Sequence, residues 1–415
     1  MKIAIIGSGI SGLTAAYLLC KNHDIAVFEA NDYIGGHTHT HEIVLEKKNW
    51  RIDSGFIVYN ENTYPNFIKL LKRLNVATQK TSMGFSVKAP DKNLEYSGGS
   101  LNSLFAQRRN LFRPSFYLMI KDILRFNRVS ISKLKDLSET TTINEFLISN
   151  NFGKHFIENY IIPMGAAIWS TAAEKAIEMP AVFYIRFFQN HGLLQINNRP
   201  QWHVIKDGSK SYINKIIQSF ESKVLLSTPV KKVKRHEHGV EVVYGNDESS
   251  DIFDKVIFAN HSDQALKLLD DPSPEENMIL GALPYQKNVA LLHTDSEILP
   301  NKKITWSSWN YLLSVDNSKP VALTYNMNIL QSLDSKTDFL VTLNGNDQVN
   351  PKKVIKTISY EHPLFTVAGV KAQKQKHLIS GKNNTFYCGA YWGYGFHEDG
   401  VNSALDVCSF FGRSL

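Results

Sequence analysis

The feature that most constrains this sequence is a Gly-x-Gly-x-x-Gly pattern at residues 7–12, which directly follows a short apolar run. That run, residues 3–6, is β-branched and predicts a buried parallel strand. An apolar helical stretch begins at Leu13, and residues 25–28 predict a second strand. Strand, glycine loop, helix and strand in this order indicate a βαβ unit that binds a dinucleotide.

Each residue of the loop has a predicted role. Gly7 permits a tight turn at the end of the strand, and Gly9 lets a pyrophosphate approach the backbone. Gly12 allows the helix to pack closely on the sheet. Ile10 and Ser11 are also predicted to bind the cofactor, and the N-terminus of the following helix offers free N–H groups and the positive end of its dipole to the phosphates.

The acid at the end of the second predicted strand is Glu29. An acid at this position accepts hydrogen bonds from an adenosine ribose. Its charge would also repel a 2′-phosphate. The sequence therefore predicts a dinucleotide that lacks this phosphate.

Length and composition limit the remaining possibilities. A chain of 415 residues suits two closely joined domains. The net charge of +7 is mild, and could help to bind an anionic cofactor or a membrane surface. We find no nucleic-acid module and no apolar run long enough to span a membrane. Cys20, Cys388 and Cys408 are scattered, so neither a disulfide framework nor a metal site is predicted, and a cytoplasmic setting is expected.

Three further stretches carry a resemblance to a known family. They are the pair Gly35-Gly36, the stretch 53–65, and the glycine- and aromatic-rich stretch 386–401. Together they resemble bacterial FAD-dependent proteins of the flavin amine oxidase and phytoene desaturase superfamily. A similar module is fused to plant cyclopropane fatty acid synthases. The resemblance implies FAD, rather than NAD, as the cofactor.

The same resemblance implies the fold class and the domains. We expect an α/β protein with a Rossmann-type FAD-binding domain and an inserted α+β substrate domain, as in amine oxidases. Residues 1–85, 200–270 and 378–415 are assigned to a discontinuous FAD-binding domain. Residues 86–199 and 271–377 are assigned to the substrate domain.

The resemblance also extends the set of expected cofactor-binding residues. Asp399 is expected near the ribityl chain or the phosphates, because it opens the last predicted helix. Tyr391, Trp392 and Tyr394 are expected to face the flavin ring. The added cofactor-binding residues are Ala30, Gly35, Gly36, His37, Thr38, Gly55, Phe56, Ile57, Val230, Gly389, Tyr394, Gly395, Glu398, Asp399, Gly400 and Val401.

His37, His39 and His41 alternate along the chain and could share one face of an extended segment. Such a face could bind a metal ion. We favour a position for His37 beside the cofactor, where amine oxidases usually carry Arg. No metal ligand is therefore predicted.

Two catalytic candidates follow, and the catalytic residues otherwise remain unknown. Many amine oxidases have a Lys that holds a water at flavin N5, and Lys287 lies in the stretch of this sequence where that Lys is expected. His293 could act as a general base, although a structural hydrogen-bonded pair with Asp295 is the stronger interpretation. The expected reaction is removal of a hydride from a C–H or C–N bond.

The substrate is expected to be largely apolar, such as a fatty acyl chain of a membrane lipid. Aromatic residues are frequent in the predicted substrate segments, and residues 101–137 predict a helical stretch with interleaved cations. Peripheral contact with the inner membrane is therefore considered, with an ordinary solvated basic face as the alternative. The resemblance to the module fused to cyclopropane fatty acid synthases implies the same substrate class and a lipid-modifying methyltransferase as a partner. Three alternatives stay open: an oxidase of small amines, a carotenoid- or porphyrinogen-type desaturase, and a non-catalytic FAD-binding partner of a lipid-modifying enzyme. The cations of the stretch are Arg108, Arg109, Arg113, Lys121, Arg125 and Arg128.

Overall fold

The computed structural model describes residues 1–313 and 322–415, and shows twenty strands and fifteen α-helices in this part of the chain. The strands are β1 (Lys2–Ile6), β2 (Asp24–Phe28), β3 (Thr40–Leu45), β4 (Lys48–Asp53), β5 (Val58–Asn60), β6 (Thr78–Thr81), β7 (Phe85–Ala89), β8 (Leu94–Ser97), β9 (Trp202–Ile205), β10 (Val224–Leu225), β11 (Val230–His236), β12 (Gly239–Tyr244), β13 (Ser249–Phe253), β14 (Lys255–Phe258), β15 (Tyr285–His293), β16 (Trp309–Leu312), β17 (Ala322–Asn326), β18 (Leu340–Leu343), β19 (Val354–Pro363) and β20 (Thr385–Tyr387). The helices are α1 (Ile10–Leu19), α2 (Pro65–Arg73), α3 (Leu101–Leu104), α4 (Pro114–Lys133), α5 (Ile143–Ser149), α6 (Lys154–Phe156), α7 (Ile162–Ile168), α8 (Ala173–Ile177), α9 (Ala181–Asn190), α10 (Lys210–Ile216), α11 (Ser262–Leu268), α12 (Pro274–Gly281), α13 (Met327–Leu330), α14 (Val367–Gln373) and α15 (His397–Ser409).

A five-stranded parallel sheet in the order β10-β2-β1-β14-β20 carries the glycine loop. Helices α1 and α15 pack against each other, and share one apolar core with side chains of β1 and β2. A second core forms between this sheet and the three-stranded sheet β11-β12-β13. Burial of both faces explains why its strands are continuously apolar. The predicted α/β class with a parallel core is confirmed.

A seven-stranded mixed sheet in the order β19-β15-β18-β17-β16-β7-β8 forms the other major sheet. Helices α4 to α9 contribute to the apolar core beside its β7–β8 end. The five-stranded sheet draws its strands from all three segments assigned to the FAD-binding domain. The exact domain boundaries stay a prediction.

The helical stretch predicted for residues 101–137 is interrupted. It consists of α3, a 3-10 turn at Arg108–Phe112, and α4, which begins at Pro114. Proline has no N–H to donate, so it is tolerated at the first helical position and disfavoured in the interior. Among the described helices, none is both long and apolar enough to cross a bilayer.

Candidate cofactor and active site

A cavity of about 970 Å³ lies between the five-stranded and seven-stranded sheets. Its lining includes residues that directly follow β1, β14 and β20, and residues of β7, β15, β16 and β19. The carboxyl ends of parallel strands are the usual ligand-binding edge of such a sheet. One half of the cavity is built from glycine-rich backbone, and the other from aromatic side chains.

The glycine loop forms the floor of the first half. Gly7 has φ +106°, a conformation that suits glycine, and a Cβ on Gly12 would lie 2.0 Å from the Gly7 carbonyl oxygen. A Cβ on Gly9 would instead meet no atom within 4 Å. The space in front of the α1 N-terminus is therefore open, as a phosphate-binding cradle requires.

Glu29 closes one side of this cradle. Its carboxylate accepts hydrogen bonds from the Ser8 backbone N–H (3.0 Å), the Ser8 hydroxyl (2.6 Å) and the Asn31 backbone N–H (2.9 Å). Glu29 is buried and lines the cavity. The acid is thus held in a fixed position at the end of β2.

The second glycine pair packs directly on the first loop. Gly36 has φ +58°, and a Cβ at this position would lie 3.2 Å from the Gly9 Cα. The Gly35 N–H donates to the Ser8 hydroxyl at 3.3 Å. Gly55 is held close to the carbonyl of His37, because a Cβ there would lie 2.1 Å from that oxygen. Two distant glycine segments therefore continue the cradle past the α1 N-terminus.

Three imidazoles gather beside the cradle. The His37 ring lies 5.3 Å from the His362 ring and 6.4 Å from the His261 ring, and stacks on Tyr360 at 4.8 Å. Desolvation and the neighbouring histidines hold the pKa of His37 well below its usual value. Burial lowers the pKa of His362 to about 4. His37 and His362 are therefore uncharged at physiological pH.

Several buried polar atoms at the cavity have no hydrogen-bond partner within the described residues. They include Nε2 of His37, Oδ1 of Asn260 and Oη of Tyr391. Buried polar groups in proteins are normally paired, so such atoms point to a polar ligand between them. Together with the open space above Gly9, they fit a large polar cofactor.

The other half of the cavity is aromatic. The Trp169 ring lies 4.9 Å from Phe187, and Phe187 lies 5.2 Å from Phe396. The Trp309 indole N–H is buried without a partner among the described residues. Tyr160 reaches this half from a π-helical segment at Ile157–Ile161, an irregularity frequent at functional sites.

Most predicted cofactor-binding residues line the cavity, and so do Tyr391 and the catalytic candidate Lys287. Trp392 does not line it. The predicted cofactor-binding residues that line it are Gly7, Gly9, Ile10, Ser11, Glu29, Ala30, Gly35, Gly36, His37, Gly55, Phe56, Ile57, Val230, Gly389, Tyr394 and Gly395.

The start of α15 does not follow the prediction. The Glu398 carboxylate accepts the backbone N–H groups of Asn66 (2.9 Å) and Phe67 (2.8 Å), and so caps α2. The Asp399 carboxylate turns back and accepts the Phe396 N–H at 2.9 Å, which caps its own helix. Neither side chain lines the cavity.

Gly400 and Val401 make packing contacts between α15 and α1, and neither lines the cavity. A Cβ on Gly400 would lie 2.6 Å from Ile10, so glycine allows α15 to approach α1 closely. Val401 is fully buried in the core that these two helices share.

Thr38 and Gly12 also lie outside the cavity lining. The Thr38 hydroxyl is 2.6 Å from the Tyr212 hydroxyl and 3.0 Å from Nε2 of His397. These contacts join the second glycine segment to α10 and α15. Gly12 has the packing role that its position in the motif predicts.

His293 is not placed for catalysis. It is fully buried outside the cavity lining, with Nε2 at 2.7 Å from the Thr342 hydroxyl and Nδ1 accepting the Asp295 N–H at 3.0 Å. The interpretation as a structural residue fits this geometry. Lys287 is exposed on the cavity wall opposite Glu361 in the β15–β19 pairing, and its catalytic role stays a prediction.

The alternating histidines divide between two environments. His37 lines the cavity, whereas His39 stacks on Tyr33 at 4.1 Å and His41 lies 2.7 Å from the Ser54 hydroxyl. Within residues 1–313 and 322–415, no group of three His, Cys, Asp or Glu side chains is arranged to hold a metal ion.

The sequence analysis missed the lining residues of β19, which include Tyr360 and His362. They occupy alternate positions of a strand and hence share a face. That period-two pattern was the available signal. His261 is the third residue after β14. Its position just past the end of a parallel strand could have indicated that it lies at the cavity.

The model of the protein family "Flavin containing amine oxidoreductase" matches residues 10–315. The chain belongs to this family. An L-amino-acid oxidase of Pseudechis australis is 22% identical over 407 residues, which cover 86% of this chain and 73% of that protein. FAD is accordingly the cofactor, and the protein is an amine-oxidase-type FAD-dependent oxidoreductase.

Solved structures with a similar fold agree with this assignment. Putrescine oxidase bound to putrescine superposes with a TM-score of 0.69, at 14% identity and with full coverage of both chains. A fatty acid isomerase from P. acnes that produces CLA superposes with a TM-score of 0.69, at 15% identity, covering 99% of this chain and 98% of that chain. At this level of identity the likeness establishes the fold alone.

Proposed function

We propose that this oxidoreductase removes a hydride from a C–H or C–N bond of a largely apolar substrate, such as a fatty acyl chain of a membrane lipid. The observation that carries the proposal is the absence of any carboxylate from the aromatic half of the cavity, among the residues described. The lining acids are Glu29 and Glu361. Glu29 is bonded to Ser8 and Asn31, and Glu361 lies 3.4 Å from His261. An ammonium substrate would find no counter-charge beside the aromatic rings.

A cation lies at the aromatic half instead. Arg199 lines the cavity close to Tyr160, and its Nε donates to the Gln195 carbonyl at 3.0 Å. Arg199 has no carboxylate partner within the described part of the chain. A guanidinium with free donors suits a carboxylate or phosphate head attached to an apolar chain.

The residues of the chain would orient such a substrate and exclude water. Trp169, Phe187 and Trp309 supply an apolar wall, and the glycine cradle with Glu29 and His37 would hold FAD. When bound, FAD supplies the hydride acceptor. Lys287 on the cavity wall is the candidate for holding a water in the site.

A non-catalytic role is disfavoured, because side chains do not fill the space between the two sheets. An amine oxidase and a carotenoid- or porphyrinogen-type desaturase share the same architecture. Their substrates differ from a lipid in charge and shape, so ligand experiments separate them.

The test is anaerobic bleaching of the visible flavin band with a panel of unsaturated fatty acids, phospholipids, carotenoids, porphyrinogens and small amines. We expect bleaching by an acyl substrate and none by small amines. Arg199→Gln is expected to raise the concentration for half-maximal bleaching about 10-fold, since a charge-assisted hydrogen bond is lost. Arg186→Gln, which alters an exposed residue of α9 outside the cavity lining, is the matched control. Bleaching by a soluble amine but by no lipid would overturn the proposal.

A further inference from the structure

One surface of the molecule combines exposed apolar side chains with cations that have no carboxylate partner among the described residues. It is formed by α3, the 3-10 turn Arg108–Phe112 and the outer face of α4, and we call it the α3–α4 surface. Phe112 is 86% exposed, Leu101 77% and Leu118 60%. Exposed large apolar residues are ordinary when scattered, but a cluster marks an interaction site.

The apolar residues form one connected region. The Tyr117 hydroxyl donates to the Leu111 carbonyl at 3.1 Å, which joins the 3-10 turn to the first turns of α4. The Tyr117 ring also lies 5.8 Å from Phe105, directly after α3. Exposed side chains then continue along α4 at helical spacing, where solvent-facing positions are normally polar. These α4 residues are Tyr117, Leu118, Lys121, Leu124, Arg128 and Ile131.

The inner face of the same helix accounts for its packing. Phe116, Met119 and Phe126 are buried, and Phe116 lies 5.9 Å from Tyr96 of β8. The outer apolar residues are therefore not needed to hold α4 on the protein. They require another explanation.

The charged side chains of this surface are mostly cations. Four cations are exposed, and none of them forms a salt bridge with a carboxylate of residues 1–313 or 322–415. Arg113 is half-buried and donates to Oδ1 of the buried Asn110 at 3.4 Å. Asp122, the acid within α4, is paired with Arg125 at 3.0 Å. Arg125 also donates to the carbonyls of Asn150 and Asn151, so it belongs to the interior side. The four exposed cations are Arg108, Arg109, Lys121 and Arg128.

We propose that the α3–α4 surface docks the protein on an anionic lipid bilayer. The cations match lipid phosphates, while Phe112, Leu101 and Leu118 enter the boundary between headgroups and acyl chains. Nucleic acid would satisfy the cations, but would leave the exposed aliphatic side chains in water. An acidic protein groove would require a specific shape, whereas a bilayer accepts a convex apolar and basic face.

The position of the surface relates it to the cavity. Strand β8, against which α4 packs, pairs with β7, and Phe85 of β7 lines the cavity. The β7–β8 hairpin therefore lies between the α3–α4 surface and the cavity. The docking proposal does not depend on the substrate proposal, because the assay measures binding to vesicles and involves no turnover.

The experiment uses the full FAD-loaded chain in a vesicle sedimentation assay. Vesicles of phosphatidylcholine with about 30% phosphatidylglycerol are compared with pure phosphatidylcholine at low ionic strength. We expect binding at least about 10-fold stronger to the anionic vesicles, and its loss at high salt. The triple variant Arg108→Glu, Arg109→Glu, Arg128→Glu should weaken it by at least about 100-fold, because each lost cation alone accounts for about a factor of five and each new carboxylate is repelled by the lipid phosphates.

The matched control is Lys231→Glu, Lys352→Glu, Lys382→Glu, which makes the same charge change at exposed positions of other elements. Arg125 is left unchanged because of its interior contacts. Unchanged FAD content and melting temperature show that each variant is folded.

Phe112→Trp adds a direct probe, since the new indole should shift its fluorescence to the blue on anionic vesicles only. Equal binding to both vesicle types, no binding at low salt, or full binding by the Arg triple variant would overturn the proposal. Binding to DNA or to an acidic protein without binding to vesicles would overturn it as well.

Discussion

The two halves of the cavity are built by opposite means. The half beside α1 is lined by glycine backbone: a side chain at Gly9 would enter its open space, while a Cβ at Gly7 or Gly36 would crowd the backbone of Ala259 or Gly9. The half beside α9 consists of side chains, among them Trp169 and Phe187. The first half should therefore be sensitive to added atoms, and the second to removed atoms.

The largest effect is expected from Gly9→Val. The new side chain projects into the open space in front of α1, where a Cβ meets no atom of the described residues within 4 Å. The chain should fold, since Gly9 has an ordinary extended conformation with φ −68°. We expect loss of bound FAD, measured by absorbance after denaturation.

Gly98→Val is the matched control, because a Cβ at Gly98 also meets nothing within 4 Å. A Gly9→Val protein that retains full FAD occupancy would show that the backbone half does not hold the cofactor.

Phe187→Ala tests the second half. Phe187 is 3% exposed and contacts Trp169, His191 and Phe396. Truncating a buried Phe is expected to cost about 3 kcal/mol in the free energy of unfolding. FAD occupancy of the folded protein should be unchanged, because these contacts lie away from the glycine cradle.

Phe187→Leu, which keeps most of the volume, should recover the greater part of this stability. The measurement is a denaturant titration combined with FAD content. Loss of FAD at full stability would contradict the division of the cavity into two halves.

Buried histidines occur in both halves of the cavity, and they make the stability of the protein depend on pH. Burial lowers the pKa of His362, beside the cradle, and of His191, in the aromatic half, to about 4. The unfolded chain binds these protons near pH 6.5, so stability is full above that pH and falls as the pH drops toward 4. Each group contributes about 1.4 kcal/mol per pH unit over this range. The other histidines with pKa values lowered to about 3 or 4 are His39, His41, His293 and His397.

Buried acids act in the opposite direction. Desolvation raises the pKa of Asp53 to about 6, that of Asp399 to about 7, and also that of Glu398, so these groups alone would stabilise the fold on acidification. Because the buried histidines, with His37 among them, outnumber these acids, denaturant midpoints at pH 7.5, 6 and 5 should fall in that order. Midpoints that rise toward pH 5 would show that the acids dominate.

The smallest effect is expected from Asp399→Ala. The carboxylate caps α15 through the Phe396 N–H and does not reach the cavity, so its loss should cost about 1 kcal/mol of stability. FAD affinity should stay unchanged, as measured by fluorescence titration of the apoprotein. A large loss of FAD affinity at constant stability would show that Asp399 contributes to cofactor binding after all. Asp399→Asn keeps the shape and serves as the reference.

The sequence by itself determined the half of the site that depends on local backbone geometry. The turn at Gly7, the open approach at Gly9 and the close helix packing at Gly12 all follow from contiguous residues in one βαβ unit. The family resemblance extended this to Gly36, Gly55 and the stretch after β20. Such features are predictable because the conformation of a short segment largely decides them.

Tertiary structure alone decided where individual side chains point. Glu398 caps a helix that begins more than three hundred residues earlier in the chain, and Asp399 caps its own helix, although both open α15. His261 and His362 meet His37 only because β14 and β19 end at the same cavity. Such contacts depend on how distant segments pack, and no local pattern contains that information.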